Sequence, residues 1–222
     1  MSTSSRSPAT DKPLVAVLDY DIGNLRSAQK WLERAGADAR LTNDPGLIAD
    51  AVGVVLPGVG HFSTCMAQLR GAGLEQPVMD AVASHRPFLG ICVGMQMLFD
   101  GSEEAPEVRG LGVLPGTSRL IRSEHPVPHM QWNRLDVSQP GCELLAGLPE
   151  QPWVYFVHSY AVETDATHIV ASCEYGPDLT AMVQLADSAW ATQFHPEKSG
   201  EVGQLVAENF MRVVRERSGA NA

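Results

Sequence analysis

Basic side chains are scarce in this sequence: 16 Lys and Arg stand against 26 Asp and Glu, a formal net charge of −10 over 222 residues. So acidic a chain is ill suited to phosphate backbones, and nucleic acid is excluded as a general partner. Long apolar runs are missing too. None approaches the roughly 20 residues that a helix needs to cross a bilayer, so no membrane segment is expected. There are only four cysteines, Cys65, Cys92, Cys142 and Cys173. No two form a C-x-x-C pair, and their wide spacing fits neither a zinc site nor a small disulfide framework. The expectation is a cytoplasmic protein with no metal and no cofactor. Neither G-x-x-x-x-G-K nor G-x-G-x-x-G occurs, which removes the common phosphate loops. Residues 1–12 are rich in Ser, Thr and Pro and lack an apolar h-region. They read as a disordered tail, not a secretion signal.

The remainder, 13–218, is expected to form a single domain. With 44% hydrophobic and 19% charged residues, the whole chain has the composition of an ordinary globular enzyme. Leu14 to Leu18, Ala51 to Leu56 and Pro87 to Ile91 are short apolar runs of the kind buried as parallel strands. Between them lie helical patterns. Asn24 is a candidate cap for a helix whose stripe is Leu25, Ala28, Trp31, Leu32 and Ala35, stopped by Gly36. Further helices are expected around Phe62–Arg70, Glu75–Ser84 and Met95–Phe99. From about Arg119 the texture turns to aromatic and β-branched runs, Trp153 to Val157 and Ala189 to Phe194, which suit antiparallel or mixed sheet. A last helix sets Val202, Leu205, Val206, Phe210 and Val213 on one face. The sum is a three-layer α/β/α fold, a mostly parallel sheet with an antiparallel extension.

Chemistry concentrates in two places. Gly90-Ile91-Cys92-Val93-Gly94 follows an apolar strand and precedes a helix, which is the cysteine form of a nucleophile elbow. Such a turn strains the nucleophile, and glycines two residues either side remove collisions with nearby backbone. A helix starting there aims N–H groups at the sulfur and favours thiolate. An inert core cysteine between packing glycines is the competing reading. The second place is His195-Pro196-Glu197. Proline biases His195 to an extended backbone, in which residues two apart face one side, so imidazole and carboxylate are expected to share a surface. A carboxylate on one ring nitrogen leaves the other as a base toward a thiol. Alone, the tripeptide reads first as a solvated turn, and its value comes from pairing with the elbow. Pro57-Gly58-Val59-Gly60, also at a strand end, is a candidate source of an oxyanion N–H, or a plain turn. His61, His85 and His168 have no ligand-like spacing, and prolines keep His125 and His129 off any common helix face.

Gly90-Ile91-Cys92-Val93-Gly94-Met95-Gln96 together with His195-Pro196-Glu197 resembles the class I (triad) glutamine amidotransferases. Within them the likeness is closest to the glutaminase subunits of imidazole glycerol phosphate synthases, of histidine biosynthesis. Asp19 to Leu25, Pro57 to Gly60, Pro128 to Asn133, Tyr155 to Tyr160 and Gln193 to Ser199 carry the narrower likeness, which runs from about Val15 to the final helix. The family usually has glycine where this chain has Asp21 and Gln131. The resemblance implies a flavodoxin-like sheet and hydrolysis of L-glutamine by a Cys92–His195–Glu197 triad. It implies oxyanion donors at Gly58, Val59 and Val93, and glutamine contacts at Gln96, Glu104, His158 and Ser159. It further implies a heterodimer with a (β/α)8 cyclase subunit, which turns the released ammonia into imidazole glycerol phosphate and AICAR. Tyr20, Asn24, Trp132, Tyr160 and Lys198 would then lie at the contact. Rival readings are the glutaminase subunit of anthranilate or aminodeoxychorismate synthase, and a non-enzymatic cysteine sensor on the same sheet. Lys198-Ser199 and Phe156 to Tyr160 favour the histidine pathway.

Overall fold

A computed structural model describes residues 12–23 and 25–219. Most of the expected tail, residues 1–11, and the expected cap Asn24 lie outside the described residues. The first half alternates as its patterning implies: β1 (Leu14–Leu18), α1 (Leu25–Arg34), β2 (Asp38–Thr42), α2 (Pro45–Asp50), β3 (Gly53–Gly58), α3 (Phe62–Gly71), α4 (Glu75–Ala83), β4 (Phe88–Cys92) and the short α5 (Val93–Gln96). Then come β5 (Gly101–Ser102), β6 (Thr117–Leu120), β7 (His129–Arg134), β8 (Asp136–Val137), β9 (Trp153–His158), β10 (Tyr160–Glu163), β11 (Ile169–Glu174), β12 (Asp178–Ala186), β13 (Ala189–Thr192) and α6 (Gly200–Gly219).

The main sheet runs β2-β1-β3-β4-β13-β12-β11-β8. Its first five strands are mutually parallel, and β12, β11 and β8 extend it antiparallel. Strand order reverses direction at β1, and right-handed crossovers then place α1 on one face and α2, α3 and α4 on the other. Three layers result. Side sheets β10-β6-β5 and β7-β9 flank the site. One continuous apolar cluster includes Trp31, Trp190, Phe156 and Phe210, each below 2% exposed. Truncating any of these aromatics to Ala would cost about 3–5 kcal/mol. The expected stripe of α1 is buried throughout, and Gly36 follows it at φ +94°.

Four local expectations need correction. β3 begins at Gly53, not Ala51, because the Ala51 N–H closes α2 on the Leu47 carbonyl. The strand continues through Pro57, whose missing N–H is harmless because pairing with β1 stops at Val55. The helix expected to continue through Phe99 is a single turn ending at Gln96. The carbonyls of Met97, Leu98 and Phe99 instead accept from Leu111, Val113 and Gly112, so the returning chain takes the place of the next turn. On α6, Val202 and Leu205 are only half-buried, and Ala207, Met211 and Val214 share the inner face instead. The fourth concerns His195-Pro196-Glu197: His195 is extended, as expected, but Pro196–Lys198 turns as a 3-10 helix.

Candidate active site

Cys92 ends β4 and caps α5 at φ +55°, ψ −114°. A non-glycine residue there stores on the order of 1–3 kcal/mol of strain, which the surrounding packing must hold. The packing is tight. A Cβ on Gly94 would collide with the Leu56 carbonyl oxygen, and one on Gly58 would collide with the Gly94 amide. Gly58 pairs directly with Cys92 across β3 and β4, so the Pro57–Gly60 loop lies alongside the sulfur. Val93 opens α5, and its N–H, as a first-turn amide, has no partner within the helix. With α5 only one turn long, the single oriented amides matter here and not a helix dipole.

The neighbouring strand supplies the rest. β13 lies parallel to β4 with Ala191 beside Gly90 and Thr192 beside Ile91, so the chain just beyond it passes Cys92. The His195 N–H donates to the Tyr155 carbonyl at 3.0 Å, and the Ser199 hydroxyl donates to the His195 carbonyl at 2.6 Å. In the turn that follows, His195 Nδ1 meets Glu197 Oε1 at 2.8 Å. The two share a surface, as expected, but through a turn with Pro196 in its first position and not through extended chain. The other ring nitrogen is left for the Cys92 sulfur, which lines the same cavity and is near enough to raise the ring's pKa. Burial alone would lower the His195 pKa. The Cys92 sulfur and the Glu197 carboxylate outweigh it and push the ring up to about 10.

Behind the sulfur lies a chain of amides and imidazoles that the sequence did not disclose. Gln193, fully buried, donates from Nε2 to Cys92 Sγ at 3.7 Å. Gln96 Nε2 donates to Gln193 Oε1 and to the Tyr160 carbonyl, both at 3.0 Å. The same carbonyl lies 2.9 Å from His158 Nδ1, and His158 Nε2 lies 3.0 Å from His129 Nδ1. A carbonyl only accepts, so His158 carries its proton on Nδ1 and accepts at Nε2 from His129. Asn133 then faces the bare His129 Nε2 at 3.3 Å and donates to the Glu174 carbonyl at 2.8 Å. Both rings are neutral and enclosed. Burial depresses His129 to about 4. Burial, with His129 and His195 nearby, depresses His158 to about 3 despite the Tyr160 carbonyl.

A pH dependence of stability follows from that pair. Unfolded, each ring takes a proton near pH 6.5; folded, neither does until about 4 or 3. Stability from this source is complete above pH 6.5 and drains as pH falls toward 4, because the unfolded chain binds up to about two more protons. His195 acts in a separate window. Its raised value gives stability that is complete below pH 6.5 and lost as pH rises through about 10. Urea unfolding followed from pH 7 to 4.5 should therefore show a slope approaching two protons from this pair, and about one less in His129→Gln. An unchanged slope in that variant would contradict neutral burial of His129.

A cavity of about 390 Å³ opens onto the sulfur. Val59, Cys92, Val93, Gln96, Glu104, His158, Ser159, Tyr160, His195 and Lys198, all singled out from sequence, line it. Glu197 stands behind His195, and Gly58 beneath the loop. Glu104 Oε2 accepts from the Phe62 N–H at 2.7 Å, which ties the cavity wall to the start of α3. Cys65, below the same loop, donates to the Val59 carbonyl at 3.2 Å. Lys198 lines the cavity, with Nζ 6.0 Å from the Tyr155 ring centroid; Trp132, 47% exposed beside Tyr155, does not line it. Nor does Tyr20. It is 2% exposed, and its hydroxyl donates inward to the Pro57 carbonyl, so it braces the loop and offers no surface to a partner. Asn24 lies outside the described residues. Asp21 holds φ +63°, the backbone region that suits the glycine usual there. A larger cleft of about 630 Å³, lined by Asp100, Glu103, Arg109 and Arg119, holds none of these groups.

An elbow cysteine, a carboxylate-held imidazole and a polar cavity thus meet at the strand ends. Residues 31–213 match the family Glutamine amidotransferase class-I. The chain belongs to that family. Among curated relatives, the imidazole glycerol phosphate synthase subunit HisH of Synechococcus sp. (strain JA-3-3Ab) is 48% identical over 91% of this chain and 95% of its own. The subunit of the same name from Microcystis aeruginosa (strain NIES-843 / IAM M-2473) is 47% identical over 91% of this chain and 96% of its own. These likenesses set the chain, within the class, beside those synthase subunits. Solved structures agree on the fold. A glutamine amidotransferase superposes with TM-score 0.70 at 22% identity, covering 90% of this chain and 98% of its own. PurLQS from Thermotoga maritima gives 0.69 at 18%, covering 93% and 99%.

Proposed function

We propose that this chain is the glutaminase subunit of an imidazole glycerol phosphate synthase. It hydrolyses L-glutamine to glutamate and ammonia through Cys92, His195 and Glu197. The ammonia passes to a (β/α)8 cyclase subunit, with which the chain forms a heterodimer in the cytoplasm; a single domain over 13–218 does the work. The observation that carries the chemical part is the His195–Glu197 pair at 2.8 Å, with His195 sharing a cavity with a cysteine held at φ +55°. The named relatives support the choice of synthase.

Cys92 Sγ attacks the side-chain amide carbon of glutamine. The Val93 N–H and an N–H of the Gly58–Val59 stretch hold the oxyanion; losing one such donor typically costs ~10²–10³ in turnover. His195 protonates departing ammonia, then deprotonates the water that splits the thioester, while Glu197 keeps the ring oriented. Both amide hydrogens of Gln96 are committed to Tyr160 and Gln193. Its carbonyl oxygen is what remains for the substrate ammonium, with the Glu104 carboxylate as counter-charge. The backbone at His158 and Ser159 completes the pocket. No cofactor enters these steps. Ammonia set free into bulk water is protonated and stops being a nucleophile, so the cavity mouth must meet the partner dry.

That requirement gives a test. Trp132 beside Tyr155 and Lys198 in the cavity wall are aromatic and cationic anchors of the kind that dominate contacts. Trp132→Ala and Lys198→Ala should each lower glutamine-driven synthesis roughly tenfold, with ammonium-driven synthesis unchanged, measured on the chain reconstituted with a co-purified cyclase. Equal loss in both rates would mean misfolding, and no loss in either would remove these residues from the contact.

A further inference from the structure

We infer that Gln193 is a positioning residue for the nucleophile: its side-chain NH2 donates to the Cys92 sulfur and holds it, as thiolate, at the angle set by the elbow. The inference rests on the reading of Cys92 as the nucleophile.

The direction of every bond in the chain is fixed by one atom that cannot donate. The Tyr160 carbonyl obliges the Gln96 atom facing it to be nitrogen. That same nitrogen faces Gln193, so the Gln193 atom there is oxygen. The NH2 of Gln193 is therefore the end aimed at Cys92. A wholly buried carboxamide NH2 needs an acceptor, and the sulfur is the one it faces. Charge-assisted hydrogen bonds in a dry site are the strong ones, so this donor favours the thiolate over the thiol. Gln193 and His195, two apart, approach the sulfur from the same stretch of chain: one supplies a fixed neutral donor, the other a base. Gln193 gives up no proton in the reaction. The sulfur lone pair forms the C–S bond, the amide π pair moves to the carbonyl oxygen, and the Gln193 hydrogen bond loosens as the charge leaves sulfur.

The rest of the chain explains why this amide cannot turn. Gln96 is pinned at both hydrogens, and the Tyr160 carbonyl is itself held by His158, which His129 and Asn133 hold in turn. Titratable groups near the sulfur are His195 with Glu197, Tyr20, and Cys65 with Glu104 beyond it.

Two variants separate donor from filler in the full chain. Gln193→Glu keeps an oxygen for Gln96 but presents an oxygen to the sulfur. Gln193→Met keeps the shape and removes both bonds. The rate of Cys92 carboxamidomethylation by iodoacetamide is followed by peptide mass from pH 6 to 10, beside thermal melts. Removing a hydrogen bond to a charged group should slow alkylation at pH 7 by roughly ten- to a hundredfold and move the profile to higher pH. A folded Gln193→Met chain with the unaltered profile would overturn the inference. Where a variant fails to fold, the unmodified chain still decides. Its Gln193 side-chain amide protons should titrate with the same midpoint as Cys92 alkylation and lose that titration in Cys92→Ala; a flat response would overturn it. Glutamine hydrolysis by Cys92→Ala distinguishes the two levels. Persistence sinks the nucleophile itself, whereas loss alongside ordinary Gln193 variants sinks only the role of Gln193.

Discussion

Cys92→Ala should abolish glutamine hydrolysis, a fall of about 10⁴–10⁶ in turnover toward the background left by the oxyanion donors and binding. Synthesis driven by ammonium salts should continue, because the cyclase would receive its nucleophile from solution. The size of the effect comes from chemistry and not from folding. The thiol is small and sits at φ +55°, where Ala fits the same space without adding bulk. Removing it leaves Gly94 packed on Leu56 and Gly58 packed on Gly94 as before. The matched measurement is glutamate release and ammonium-driven product formation on one preparation. Substantial glutamine-dependent turnover in Cys92→Ala would end the triad assignment. Parallel loss of both activities would mean that the elbow had collapsed.

His195→Ala should come close to the Cys92 defect, since one imidazole serves both thioester formation and ammonia departure. Glu197→Gln should be about 10–100-fold less severe, as orienting carboxylates in triads are worth less than the base they hold. A carboxamide oxygen can still accept from Nδ1 at the 2.8 Å separation, yet it brings no charge. The sign of the pH effect follows. Glu197 is one of the two groups that lift His195 against burial to about 10, so losing its charge disfavours the imidazolium. The alkaline limb of glutaminase activity should move to lower pH in Glu197→Gln. Full pH–rate profiles of the three proteins check this. A limb that stays in place would mean that Glu197 only braces the turn.

Much of the site was legible because its signals are local and covalent. An apolar run ending in G-x-C-x-G dictates a strand and a strained turn; a Cβ at Gly94 would collide with the Leu56 carbonyl, and one at Gly90 would crowd Leu98 and Ala191. His195-Pro196-Glu197 was legible as a pair but misread in conformation. Proline restricts the residue before it, and yet Pro196 also starts a 3-10 turn, a choice made by Ser199, whose hydroxyl bonds the His195 carbonyl and accepts from Tyr155. Helix length after the elbow was overestimated because Met97, Leu98 and Phe99 are good helix formers whose carbonyls the 111–113 segment takes over. No local pattern announces such a segment. Tyr20 looked like a contact residue since nothing in its loop shows that its hydroxyl reaches Pro57, 37 residues away. Gln193 had one available signal, its two-residue offset from His195, which puts both side chains on one side of an extended chain. The contact between His129 and His158 had none, because the two rings meet only when β7 and β9 pair.

The central claim is that one cysteine of four is the nucleophile, and alkylation by a glutamine analogue tests it most directly. Cys65, Cys142 and Cys173 are buried without a base, and burial pushes the Cys65 thiol up to about 11 and the Cys173 thiol up to about 12. Cys92 alone shares a cavity with an imidazole. Intact-mass and peptide mapping after reaction should give a single adduct per chain, on Cys92, blocked by excess L-glutamine and absent from Cys92→Ala. Labelling of another cysteine, or a fully glutaminase-active chain that carries no adduct on Cys92, would contradict the triad.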